Sequence, residues 1–184
     1  MIVWTIGHST RSIEELVSLL RRDEITHLVD IRRFPGSRRY PHFDRDALAA
    51  HLRAIGIEYT HMPELGGRRR PRPDASPTAW RNEGFAGYAD YMRTPEFHGA
   101  LDQLQDLARG CRVAIMCSEA VPWRCHRTLV SDALAARGVE VRHIMDAKTS
   151  PHLVTRFAVV RGTEVTYPPV AQSAVQLEIG SDGA

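Results

Sequence analysis

The sequence predicts an α/β fold: a mostly parallel sheet with helices on both faces, in a single domain. Three observations carry that expectation. Short, nearly continuous apolar runs alternate along the chain with longer segments of helical periodicity. Those runs are apolar at successive positions rather than at every second one, as strands covered on both faces are. The length, 184 residues, suits one well-cored domain and is short for two.

IVWTIG (residues 2–7) reads as the first strand. Ser12, followed three residues later by Glu15, has the capping-box pattern of a helix start, and Leu16, Leu19 and Leu20 give that helix its apolar stripe. HLVDI (27–31) predicts a second buried strand ending near Asp30, while Pro35, Gly36 and Pro41 keep the stretch 32–43 out of regular structure. Asp44 can cap a helix running through Ala54, with Gly56 beyond it, and IEYTH (57–61) predicts a third strand. From Glu64 to Asn82, glycine, proline and an arginine run predict one long exposed loop or lid. A helix through Phe85, Tyr88 and Met92 follows, then a second with Thr94 as its cap, Pro95 at its first position and Gly110 at its end. RVAIMC (112–117) is the clearest buried strand. The next helix is expected to start between Pro122 and Cys125, to run through Leu129, Ala133 and Leu134, and to stop at Gly138. VEVRHI (139–144) predicts another strand, Ser150 and Pro151 the start of one more helix, and the segments 157–162 and 164–168 a terminal hairpin or edge strands. The domain is expected over 1–169, with 170–184 a loosely ordered tail.

Composition narrows the function classes. No apolar run approaches the roughly 18 residues of a membrane helix, and MIVWTIGHST has no basic region ahead of an apolar stretch, so a cytoplasmic protein with no membrane partner is expected. Cys111, Cys117 and Cys125 are an odd number of cysteines, which argues against a disulfide framework. Net charge is only +2, and Lys148 is the single lysine, so the basic residues are almost all arginine. Arg32, Arg33, Arg38 and Arg39 share one loop, and Arg68, Arg69, Arg70 and Arg72 another. The planar guanidinium fork suits phosphate and carboxylate, so two such loops on one edge would attract an anion; for the second, a solvated loop is the plain alternative.

In parallel α/β sheets ligands bind outside the carboxyl ends of the strands. His8 and Ser9, Asp30 to Arg33, His61 to Glu64, and Cys117 to Glu119 each follow a predicted strand and are expected on that one edge. The segment CSEAVPWRCHR (117–127) concentrates chemistry-bearing residues. Cys125, at the expected helix start, faces backbone N–H groups and the positive dipole end, which lower a thiol pKa. Arg124 lies seven positions after Cys117, one residue longer than the cysteine-to-arginine loop of protein tyrosine phosphatases, and Glu119 stands where an incoming phosphate needs donors. His8, Cys117, Glu119, Cys125 and His126 are also acceptable ligands for a divalent metal. Against a shared ion, adjacent residues on a helix diverge by about 100°, which separates Cys125 from His126. A surface or core position without a role accounts for Cys111, and plain burial for Cys117 taken alone; Glu119, Arg124, His126 and Arg127 beside it are more polar groups than a core uses. Asp30 is expected to pair with Arg32 or Arg127 or to orient a histidine, and His8 to act as a general base or to bond the backbone. Tyr59, His61 and Trp80 either stack on a ligand ring or pack; Phe85, Tyr88, Tyr91 and Phe97 are at core spacing.

TIGHST, VDIRRFPGSRR, YTHMPELGG and above all MCSEAVPWRCHR resemble the bacterial and archaeal domain-of-unknown-function family 488, over about Ile2 to Pro168. The resemblance implies a small α/β protein. His8, Ser9, Asp30, Arg32, Ser37, Arg38, Cys117, Glu119, Cys125, His126 and Arg127 match the family's pattern, but no settled catalytic role comes with it. The leading expectation is an enzyme acting on a phosphorylated, nucleotide or nucleic-acid ligand. Arg32, Arg38 and Arg127 would hold the anion, with Ser9, Asp30, Ser37 and Arg124 lining its site. Cys117 or Cys125 would supply a thiolate, and Glu119 with His8 or His126 would move protons. The alternatives are a nucleic-acid-binding module using the two arginine loops, a metal-dependent enzyme with Cys, Glu and His ligands, and a redox pair of Cys117 with Cys125. No feature of the sequence specifies an oligomeric state.

Overall fold

In the computed structural model, which describes residues 1–36 and 39–169, the apolar runs assemble into a six-stranded sheet. Its strands are β1 (Ile2–Gly7), β2 (His27–Asp30), β3 (Glu58–His61), β4 (Val113–Cys117), β5 (Glu140–Ile144) and β6 (Thr149–Pro151), in the order β3-β2-β4-β1-β5-β6. All pairings are parallel except that of β6 with β5. The expectations for Ser37, Arg38 and the tail 170–184 fall outside the described residues.

Successive side chains of a strand point to opposite faces, and both faces here are covered. Trp4, Ile6, Leu28 and Met116 pack with Leu16 and Leu20 of α1 (Ile13–Arg22) and Leu48 and Leu52 of α2 (Arg45–Ala54). Val3, Val29 and Ile115 face α3 (Glu83–Tyr91), α4 (Pro95–Gly110) and α5 (Arg127–Ala136) through Tyr88, Phe97, Leu101 and Leu129. The expected starts and stops hold: Ser12 and Glu15 make both capping-box bonds, Thr94 caps α4, Asp44 stands at the N-cap of α2, and Gly56 follows α2 at φ +80.

Two expected helix starts are corrected. Pro122–Arg124 form one 3-10 turn and α5 begins only at Arg127. Ser150 and Pro151, read as a helix start, lie in β6. The local Ser-Pro signal loses there to the open edge of β5, which pairs with 149–151 and receives a further bond from His152 N–H to the Val141 carbonyl at 2.8 Å. Pro151 is tolerated on an edge strand, where a missing N–H breaks no ladder. β7 (Val159–Arg161) and β8 (Glu164–Thr166) form the expected hairpin, as a separate two-stranded sheet. The stretch 66–82 holds no helix or strand, as expected, but is pinned: Arg69 lies 3.6 Å over the Tyr91 ring, Arg72 pairs with Asp90 at 2.9 Å, and Trp80 packs among Phe85, Phe157 and Tyr167.

A buried polar chain that the sequence reading did not single out ties β1, β5 and α5 to the C-terminal segment. Thr5 Oγ1 meets His143 Nδ1 at 2.8 Å, His143 Nε2 meets His152 Nδ1 at 3.0 Å, and His152 Nε2 donates to Asp132 at 2.8 Å. Tyr167 donates to the other Asp132 oxygen at 2.7 Å. Burial, with help from His152 and the Arg127 charge, lowers His143 from 6.5 to about 4. Between those values the unfolded chain binds the proton and the folded chain does not, so this contribution is intact above pH 6.5 and is lost as pH falls toward 4, by roughly 3 kcal/mol. Urea midpoints are therefore expected to drop between pH 7.5 and 4.5 in the wild type and less steeply in His143→Gln. Equal slopes would remove His143 as the cause.

Candidate functional site

The connection geometry opens the sheet at β4. It stands between β1 and β2, whose following helices pack on one face, whereas the helix after β4 packs on the other. Such divergence leaves a crevice at the carboxyl edge. The β1–β4 ladder runs past both strand ends, with His8 N–H bonded to the Cys117 carbonyl and Ser9 N–H to that of Ser118, both at 2.9 Å. The chain then folds back over Gly7, where the Glu119 carbonyl takes the space of a side chain. Arg127, 1% exposed, clamps this turn by donating from Nη2 to the carbonyls of Glu119 and Ala120.

Cys125 has extended backbone (φ −137, ψ 147) and His126 is the N-cap of α5. The two are therefore not successive helical residues, and the divergence expected of a helix does not apply. Cys125 Sγ lies 3.6 Å and Cys117 Sγ 4.0 Å from His126 Nδ1, and the three atoms all fall within 4.8 Å of one another. His126 Nε2 donates to the Ile31 carbonyl at 3.3 Å, so in the neutral ring the lone pair sits on Nδ1, facing both sulfurs. Gly67 backs the imidazole so closely that a Cβ there would be 2.6 Å from Nδ1.

The two thiols are held at opposite ends of the scale. Burial works to raise Cys125, but the hydrogen bond from Cys117, the Arg127 charge and the Arg127 backbone N–H outweigh it and bring it to about 6. Cys117 is pushed up to about 12, chiefly by donating to Cys125, with burial and the Cys125 charge adding to it. The negative charge thus rests on Cys125. In the partial likeness to a phosphatase loop it is the other cysteine, Cys117, that occupies the nucleophile's place.

Asp30 finds its partner in Arg32: Nε and Nη2 grip both carboxylate oxygens at 2.6–3.1 Å, and Tyr59 donates to the same carboxylate at 2.8 Å. Arg32 Nη1 reaches His8 Nε2 at 3.3 Å, while His8 Nδ1 donates to the Ser9 carbonyl at 3.0 Å. Burial, then the Arg32 charge, lowers His8 to about 4, so at neutral pH it is an uncharged acceptor already engaged by Arg32. Arg32 and Arg127 are both buried; Arg32 is largely committed to protein oxygens, while Arg127 gives Nη2 to the Glu119 and Ala120 carbonyls and its buried Nε has no partner among the described residues. Tyr59 donates to Asp30, His61 bonds to the Arg32 carbonyl, and Trp80 packs on Phe85.

Above the cluster lies a cleft of about 640 Å³, lined by Cys117, Cys125, His126, His8 and Ser9 at its base. Arg33, Arg39, Arg68 and Arg124 also line it, beside the Asp30-paired Arg32, and among the described residues Glu119 is its only acidic residue. None of the four arginines forms an ion pair with a carboxylate among the described residues. Ser9 and Arg68, both on the cleft wall, hold left-handed backbone (φ 51 and 57), a strain that concentrates at functional sites. Arg33, Arg39 and Arg68 were visible in the sequence as members of arginine-rich loops but not as site residues. Gly7 and Gly67 carried no sequence signal. His61 to Glu64 sit on the same sheet edge without lining the cleft.

Fold and site together define an α/β protein with a mostly parallel sheet, whose carboxyl edge carries an arginine-rimmed cleft over two cysteines and a histidine. The chain belongs to the family described as domain of unknown function DUF488, whose model matches residues 12–134. That span includes the whole of 117–127 and begins after His8 and Ser9. No curated protein and no solved structure matches the chain. Among the described residues, no helix is long and apolar enough to cross a membrane.

Proposed function

We propose that this protein is an enzyme that takes a phosphorylated or nucleotide-type anion into the cleft and acts on it at the Cys117, Cys125 and His126 cluster. The observation that carries this reading is the joint placement of that cluster with four arginines that have no carboxylate partner, and a single acidic residue, among the described residues around one cleft. Guanidinium groups without a competing carboxylate keep their paired donors for phosphate oxygens. Arg33, Arg39, Arg68 and Arg124 bind the anion; Ser37 and Arg38 lie outside the described residues. Glu119 is exposed on the cleft wall and moves protons there. Asp30, Arg32 and His8 position the end of β2 and the base of the cleft, and Arg127 holds the loop that presents Cys117 and Cys125.

A nucleic-acid-binding module is the second reading, favoured by Phe34 and Trp123, which are 63% and 64% exposed beside Arg33 and Arg124. Titration calorimetry with pyrophosphate, a nucleoside monophosphate and a single-stranded oligonucleotide tests both. The enzyme reading expects the small anions to bind, and the combined Arg33→Ala, Arg68→Ala and Arg124→Ala variant to weaken them by roughly tenfold or more. Binding confined to the oligonucleotide and steeply salt-dependent supports the module instead. Unchanged affinity in the triple variant, or no binding of any of the three, overturns the anion cleft.

A further inference from the structure

We infer that Cys117, Cys125 and His126 are a zinc site, binding one ion through the two sulfurs and His126 Nδ1 and leaving its fourth position open to the cleft. The inference rests on the arrangement of the donor atoms. Around a tetrahedral zinc with bonds of about 2.3 Å to sulfur and about 2.0–2.1 Å to nitrogen, sulfur and nitrogen ligands stand roughly 3.6 Å apart and two sulfurs roughly 3.8 Å. The two sulfur-to-Nδ1 separations here are 3.6 and 4.0 Å, and the whole trio lies within 4.8 Å. The sulfur-to-nitrogen separations are within a few tenths of an ångström of these values, and the two sulfurs, no more than 4.8 Å apart, need to close by about 1 Å at most.

The surroundings agree with the donor set. The other nitrogen of His126 is fixed on the Ile31 carbonyl, which orients the ring and presents Nδ1; metal-bound histidines are held by such an outer partner as a rule. Gly67 leaves room for the ring in that pose and for no other side chain against it. Two thiolates, one dication and a neutral imidazole sum to zero charge, so Cys117 and Cys125, which are 6% and 3% exposed, carry no uncompensated charge once the ion is bound. Two sulfurs and one imidazole nitrogen in a tetrahedral arrangement select zinc over the harder, oxygen-seeking cations. Among the described residues no fourth His, Cys, Asp or Glu joins the group, and all three ligands line the cleft. Three protein ligands with one open position are the pattern of a catalytic zinc site. On the reading proposed above, that position receives an oxygen of the bound anion or a water. Occupancy by the metal itself does not depend on that reading.

The test uses the full-length, untagged protein, purified under reducing conditions without chelator. Elemental mass spectrometry is expected to find about one zinc per chain, falling tenfold or more in Cys117→Ser and in Cys125→Ser. Because either variant can fail to fold, the wild type is also stripped and reloaded with cobalt(II). Thiolate-to-cobalt charge-transfer absorption, together with the visible bands of four-coordinate cobalt, supports the site. Wild-type protein that carries no transition metal and gives no such spectrum on reloading overturns it, as does zinc that survives in both folded variants. An intact mass lower by two hydrogens, restored by reductant, would identify a Cys117–Cys125 disulfide and also count against the metal. Zinc without anion binding would sink the proposed function and leave the site standing; anion binding without zinc would do the reverse.

Discussion

Arg32→Met is expected to lower folding stability by about 3–5 kcal/mol, the range for removing one partner of a buried ion pair. Asp30 is fully buried and Arg32 is 6% exposed, so the pair gains little from solvent and depends on its own geometry. Three guanidinium contacts reach the carboxylate, and their loss leaves it with the Tyr59 hydroxyl and the Arg32 backbone N–H. Methionine restores volume without charge, so the deficit measured is that of an uncompensated carboxylate. Urea denaturation at pH 7.5 reads it directly. A sharper check is the double variant Asp30→Asn, Arg32→Met: with no charge left behind, it is expected to be more stable than Arg32→Met alone. A double variant as unstable as the sum of the two single ones would show that the pair acts through packing and not through charge.

Gly7→Ala is the second large effect, expected at about 3 kcal/mol because overpacking here cannot relax as flexible side chains do. The added Cβ would lie 2.7 Å from the Glu119 carbonyl carbon and 2.8 Å from Arg127 Nη2, and closer still to the Glu119 oxygen. Two of those atoms are backbone, and the third belongs to a buried arginine that clamps the same loop. The loop from Cys117 to Ala120 must therefore lift off β1, which separates Cys117 from His126. Metal content and anion binding are expected to fall while far-ultraviolet circular dichroism keeps its α/β form. Gly99→Ala is the control: nothing lies within 4 Å of its Cβ position in α4, and alanine there is expected to gain roughly 0.5–1 kcal/mol. Wild-type stability and unchanged metal content in Gly7→Ala would contradict the close approach.

Local signals in the chain were dependable where one short stretch holds both halves of an interaction. Ser12 and Glu15 cap each other within one turn, and Thr94-Pro95 starts α4 at a position whose N–H would have no helical partner, so proline's lack of one costs nothing. The motif 117–127 was legible as a candidate site because so many polar residues follow an apolar strand. The same local logic misplaced Ser150-Pro151, since nothing nearby in sequence reports that the edge of β5 stands open. It also put Cys125 and His126 on a helix that starts one residue later, and so read them as diverging when they converge.

The sequence by itself determined the class of fold, the order of its elements and the edge on which chemistry gathers, because periodicity and caps are properties of neighbouring residues. Only the tertiary structure decided which of those residues meet. Cys117 from β4, Cys125 and His126 before α5, Gly67 from a distant loop and Ile31 beyond β2 converge through the crossing of chain connections around β4. Likewise Arg32 lines the cleft with its guanidinium paired to Asp30 and Arg127 is buried against loop carbonyls, whereas Arg33, Arg39, Arg68 and Arg124 line the cleft without such a carboxylate among the described residues. The division has one physical cause. An arginine in a loop is equally suited to a phosphate, a carboxylate or a carbonyl, and the nearest acceptor is set by how the sheet is wound.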